Sequence, residues 1–226
     1  MAAWHTVKEN CRHDESGRSM IEALVVVAIL AVLTAMAVPQ MISARRLMRS
    51  AALPTLVASQ LRFARQQAMS QSQAFTFQYD NGNKTIKIFD HNNTNNITAA
   101  CNMTGQAVLT QPNFPNTVCS TTVLTTPMAT GGSLPASEVS YGVPASGIAS
   151  AALGDGNVLT NLQGTVVNIT FLSNGTAIDA NGLSRAALYF YNNKVPVETA
   201  SAVSVLGGSG RIKVWRYSKN ASKYVE

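Results

Sequence analysis

Few side chains in this chain have the type and spacing to do covalent chemistry. The three histidines, His5, His13 and His91, stand far apart, with no pair at metalloprotease spacing. That leaves neither a His-based triad nor a zinc-hydrolase motif. Carboxylates are scattered, and no glycine-rich loop runs into Lys-Ser or Lys-Thr to cradle a phosphate. The chain therefore reads as a protein that is not an enzyme, with no cofactor and no bound metal. Two places still carry charge in a way that asks for a reason. One is Glu22, the only charged side chain from Met20 to Val38, in a run whose one other polar group is Thr34. The other is Arg211 to Tyr217, where strand alternation sets Arg211, Lys213, Trp215 and Tyr217 on one face and Ile212 and Val214 on the other. With Arg216, Lys219 and Lys223 nearby, basic groups interleaved with aromatics are what a phosphate-and-stacking surface for nucleic acid requires. The bland alternative is an edge strand guarded by Lys and Arg, with Trp215 turned to the core.

The element that must hold Glu22 is a helix. Met20 to Val38 has the length to span roughly the hydrocarbon core of a bilayer at about 1.5 Å per residue, and it ends at Pro39. A carboxylate in that setting costs a few kcal/mol or more and usually persists only with a partner. An ordinary secretory signal is the competing reading, with Lys8, Arg12 and Arg18 ahead of an apolar Ala23 to Leu33 and an A-x-A site at Ala35-Met36-Ala37. A glutamate at the start of the apolar region and a helix that continues past Pro39 fit it poorly. Beyond Pro39, Arg45, Arg46 and Arg49 form a basic turn. The positive-inside rule would place that turn in the cytoplasm, against the charge on Lys8, Arg12 and Arg18 at the other end.

Gly17 followed by four residues, Glu22 and an unbroken apolar helix to Pro39 resembles the class III leader of type IV prepilins and pseudopilins. The resemblance implies cleavage by a membrane peptidase between Gly17 and Arg18 and N-methylation of Arg18, with the apolar helix retained. It also implies a role for Glu22: its carboxylate pairs with the new N-terminal ammonium of a neighbouring subunit, so that two buried charges compensate each other only in the right register. A second stretch, Leu61-Arg62-Phe63-Ala64-Arg65-Gln66-Gln67-Ala68, is similar to the L-x-x-A-R-x-x-A helix end of GspH/FimT-type minor pilins and pseudopilins. A third, Gly210-Arg211-Ile212-Lys213-Val214, resembles the family's C-terminal part. It matches three of four positions of a Gly-Arg-x-Arg element through which some members bind DNA, with Lys213 at the fourth. The resemblance implies an α+β pilin-like fold, one long N-terminal helix packed in its second half on an antiparallel sheet. The implied partners are other pilins or pseudopilins, the inner-membrane assembly machinery and the prepilin peptidase, with DNA on the rival reading. The implied location is the inner membrane, crossed once, with the globular domain in the periplasm and a place in a type IV pilus or type II secretion pseudopilus.

On this reading residues 1-17 are leader, 18-39 the membrane and assembly helix, and 40-226 the globular domain. Charged residues make up only 12% of the chain at a net charge of +6, which predicts a polar, uncharged surface rather than one laced with ion pairs, and a mild preference for anionic partners. Helix is expected to resume after Pro54, with Leu53, Val57, Leu61, Ala64 and Ala68 as its core-facing stripe and Arg62 and Arg65 on a solvated face. A hairpin follows from Ala74 to Phe89 around Asn81-Gly82, then strands at Thr165 to Leu172 and Ala186 to Tyr191, then a second hairpin from Ala202 to Tyr217. Residues 90-164 read as a long insertion with short strands at Gln106 to Thr110 and Ser137 to Val143. Cys11 leaves with the leader, and Cys101 and Cys119 remain as an even pair. In an oxidising periplasm they are expected to form a disulfide worth roughly 3 kcal/mol; a zinc site is the rival.

Overall fold

The computed structural model describes residues 20-91, 121-128, 134-144, 153, 160-179, 182-183 and 185-226. Gly17, Arg18, Cys101, Cys119 and the strand expected at Gln106 to Thr110 lie outside these residues. The chain divides into two compact units after Ser43.

Helix α1 (Met20–Gln71) contains a single acid, Glu22, in its first turn, where the helix dipole favours a negative charge. It runs unbroken through both Pro39 and Pro54, which corrects the expectation of a restart after Pro54. A proline inside a helix removes one hydrogen bond and crowds the preceding turn. At Pro54 the ring is itself buried, so packing offsets the loss. Serines bond back to carbonyls near both sites: Ser43 Oγ donates to Pro39 O at 3.2 Å, and Ser50 Oγ to Arg46 O at 2.7 Å.

In the first unit the apolar half of α1 is bare. Its large side chains from Met20 to Ile42 are exposed, from 47% at Ile42 to 89% at Met20, and α1 is the one helix among the described residues long and apolar enough to cross a membrane. In the second unit the remainder of α1 is a core element. Leu53, Val57, Leu61, Ala64 and Ala68 are buried as the four-four-three-four spacing predicts, joined by Ser50, Pro54 and Ala58.

That stripe packs on two sheets rather than one. The first has the order β3-β2-β1-β6-β7-β8: β3 (Thr121–Pro127), β2 (Thr85–Asp90), β1 (Phe75–Asp80), β6 (Val166–Phe171), β7 (Ala177–Asp179) and β8 (Gly182–Leu183), all antiparallel. The second runs β12-β11-β10-β9-β4: β12 (Lys223–Val225), β11 (Arg211–Ser218), β10 (Ser201–Leu206), β9 (Arg185–Asn192) and β4 (Val139–Tyr141). β5 (Thr160–Asn161) pairs parallel to β9, and a one-turn helix α2 (Pro196–Thr199) joins β9 to β10. Strands β3, β4 and β5 thus come from the 90-164 segment and extend both sheets, and β12 is a strand that periodicity did not suggest.

One core lies beneath α1 and takes Phe75, Phe77 and Tyr79 from the first sheet and Leu188, Phe190, Val203 and Val205 from the second. A second cluster, on the other face of the second sheet, gathers Tyr189, Trp215, Tyr224 and Leu153. The β1-β2 turn differs in detail from the expected Asn-Gly type. Asp80 pairs with Thr85, so the loop has four residues, and positive φ falls on Lys84 (52°) instead of Gly82. Asp80 stabilises the loop by accepting from Asn83 N at 3.1 Å and Asn83 Nδ2 at 2.7 Å.

Candidate functional site

The final hairpin forms between β10 and β11, in register from Ser201 opposite Arg216 to Leu206 opposite Arg211. Its residues do not converge on one ligand surface. Trp215 is only 7% exposed, and its indole Nε1 donates to Ser204 Oγ at 2.8 Å. It is a core residue of the second cluster and not the open stacking platform that the nucleic-acid reading requires. The physical reason is that β12 closes the sheet beside it and brings Tyr224 against Tyr189 and Tyr217, with ring centroids 5.5 Å apart in both pairs. Lys213 is committed as well, since its Nζ is bonded to the Glu226 carboxylate and lies 5.1 Å from the Trp215 ring centroid. Arg211 and Arg216 are exposed, but alternation turns Arg216 to the opposite face, where it lines a small groove with Leu47, Ala51 and Glu198.

Two polar clasps hold α1 on the sheets, and neither was legible as such. At one, Arg46 Nε meets Glu138 Oε1 at 3.3 Å, and Asn192 Nδ2 donates to Glu138 Oε2 at 3.0 Å and to Ser50 Oγ at 3.2 Å. Asn192 is fully buried, and its backbone N–H donates to Thr199 Oγ1 at 2.8 Å. One carboxylate thereby joins the helix, the end of β9 and the 3-10 turn Ala136–Glu138. Glu138 did leave a sequence signal, being one of two charges after Asp90 in a stretch of otherwise neutral residues.

At the other clasp Arg65 Nε donates to Gly175 O at 3.2 Å and Arg65 Nη2 to Ser209 O at 3.0 Å. This corrects the reading of Arg65 as part of a solvated face; Arg62 is indeed exposed. The contact works because both turns come in close. A Cβ on Gly210 (φ 60°) would sit 2.0 Å from Gly175 O, and Ala177 N donates to Gly207 O at 2.8 Å. A planar, charged fork suits two carbonyls held at fixed spacing.

His91 is buried at 1% exposure with Nε2 2.5 Å from Thr76 Oγ1, which in turn lies 2.7 Å from Thr170 Oγ1. Burial pushes its pKa down from the usual histidine range to about 4. Among the described residues no three His, Cys, Asp or Glu side chains group as metal ligands. Glu22 and Pro39 lie in the apolar half of α1, where every described residue is exposed.

The architecture is thus an α+β fold in which a bare apolar helix, long enough to cross a membrane, runs on into the core helix of a two-sheet domain. Among solved structures the chain is similar to a crystal structure of the type IV minor pilin FimU of Pseudomonas aeruginosa, at 14% identity and a TM-score of 0.36, covering 77% of this chain and 96% of that one. A likeness that slight carries no function across. No protein-family model and no curated protein matches the chain.

Proposed function

We propose that the protein is a pilin-like structural subunit, held in the inner membrane by the apolar half of α1 and assembled through the same helix into a type IV pilus or a type II secretion pseudopilus. The observation that carries this reading is the bare run from Met20 to Ile42 on a helix whose other half buries a stripe of side chains in a core. So much apolar surface needs a cover: lipid tails before assembly, like helices afterwards. Glu22 then has a purpose that a plain anchor would not give it, since it supplies the one charge able to select register between such rods. Cleavage after Gly17 with methylation at Arg18, and the Cys101–Cys119 disulfide of a periplasmic domain, belong to the same proposal.

Intact-mass measurement of protein purified from membranes tests the processing: loss of residues 1-17 with one added methyl group is expected, and loss of residues 1-37 would replace this reading with that of an ordinary secreted protein. Co-expression of Glu22→Ala with wild-type chain tests the assembly. The variant should reach the membrane at normal level and be depleted from sheared fibres by ten-fold or more, given the roughly 3 kcal/mol lost when one partner of a buried pair is removed. Equal representation in the fibres would refute the role of Glu22.

A further inference from the structure

Helix α1 carries five arginines and, after Glu22, no acid at all. Two of the five are engaged: Arg46 with Glu138, and Arg65 with the Gly175 and Ser209 carbonyls. Arg62 stands further along. Arg45 and Arg49 are both exposed and form no ion pair with a carboxylate of the described residues. Arg45 lies one helical turn from Arg49, at a spacing of four, and three residues from Met48, so that both neighbour it on the helix surface. Met48 is 76% exposed.

We propose that Arg45 and Arg49 clamp the phosphate of anionic phospholipid headgroups at the membrane surface, with the exposed side chain of Met48 lying against the same headgroup layer. The inference rests on the reading of Met20 to Ile42 as a membrane helix. Arg45 and Arg49 are three and seven residues past Ile42, about 4.5 and 10 Å along a helix, so that Arg45 lies within a polar headgroup layer about 5 to 7 Å deep and Arg49 just beyond it, where its long side chain leans back towards the helix N-terminus. Guanidinium binds phosphate oxygens through two parallel hydrogen bonds, and its flexible stem reaches to the interface. An exposed methionine beside two cations suits a surface that is anionic outside and apolar just beneath. Nucleic acid would gain nothing from it. Such a clamp retains the subunit in the bilayer, and its contacts must be broken when the helix is withdrawn.

The full-length chain, reconstituted in nanodiscs of phosphatidylcholine with a minority of phosphatidylglycerol, is extracted into mild detergent, and its bound lipids are counted by native mass spectrometry. The ratio of phosphatidylglycerol to phosphatidylcholine should rise over its bulk value by roughly 30-fold, from about 1 kcal/mol for each of two arginines at an anionic surface. High salt should reduce that enrichment. Arg45→Gln with Arg49→Gln should return the ratio to bulk, and Arg62→Gln should not. Enrichment that survives the double substitution, or that in the wild-type chain ignores salt, overturns the proposal without further variants. So does inorganic phosphate or a short DNA duplex displacing the lipid as well as soluble short-chain phosphatidylglycerol does. A chain that enters the nanodiscs but shows no lipid preference refutes the clamp alone, whereas one that does not enter them at all refutes the membrane reading with it.

Discussion

Gly210 and Gly208 sit two residues apart in one loop and make opposite demands. A Cβ at Gly210 would collide with a backbone oxygen at 2.0 Å and would hold φ at 60°, while one at Gly208 meets nothing within 4 Å. Gly210→Ala should cost roughly 2 kcal/mol or more and loosen the Arg65 clasp, and Gly208→Ala should stay within about 0.5 kcal/mol, both read from urea unfolding. His91 yields a prediction in pH. Its pKa is about 4 when folded against 6.5 for an exposed histidine, so between those limits the unfolded chain binds a proton that the folded chain refuses. Stability is therefore flat above pH 6.5 and declines as pH falls towards 4. The decline from this group should be about 2 kcal/mol between pH 7 and 5; it should be absent from His91→Gln and appear in the difference between wild type and that variant. These residue-scale facts were hidden in the sequence because each depends on partners 15 to 144 positions away.

At the scale of elements, α1 was the most legible. Burial of Leu53, Val57, Leu61, Ala64 and Ala68 follows from a helical period, which needs no knowledge of what lies opposite. Leu61→Ala should cost about 3 kcal/mol in the same unfolding assay, since Leu61 is fully buried, while the neighbouring Arg62→Ala should cost under roughly 0.5 kcal/mol. Strands β1, β2, β6, β9, β10 and β11 were legible from β-forming residues bounded by turn signals, with alternation clear in β1 and β11. By contrast β12 is three residues long and β5 two. Such strands have no period of their own and exist because a longer neighbour offers them a ladder. Continuation of α1 through Pro54 was illegible for the opposite reason: local propensity argued for a break, and tertiary burial of the ring prevailed.

At the scale of the whole molecule, the two units differ in what they need from their surroundings. The unit from Ala44 onward contains the Arg46–Glu138 and Arg65 clasps and both apolar clusters. A chain beginning at Ala44 should therefore be monodisperse without detergent and melt within a few degrees of the full-length protein. Precipitation of that fragment, or a large drop in its melting temperature, would mean that the apolar half contributes to the domain's stability.

By itself the sequence determined what can be read from local order: an apolar rod with one acid, an amphipathic continuation, and hairpins at their turns. Tertiary structure alone decided what each polar side chain is for. It turned Trp215 inward, engaged Lys213 with Glu226, and made Arg65 and Glu138 clasps instead of surface charge. The reason is physical: periodicity says which face of an element avoids water, but a buried hydrogen bond requires a partner, and only the packing of distant segments supplies one.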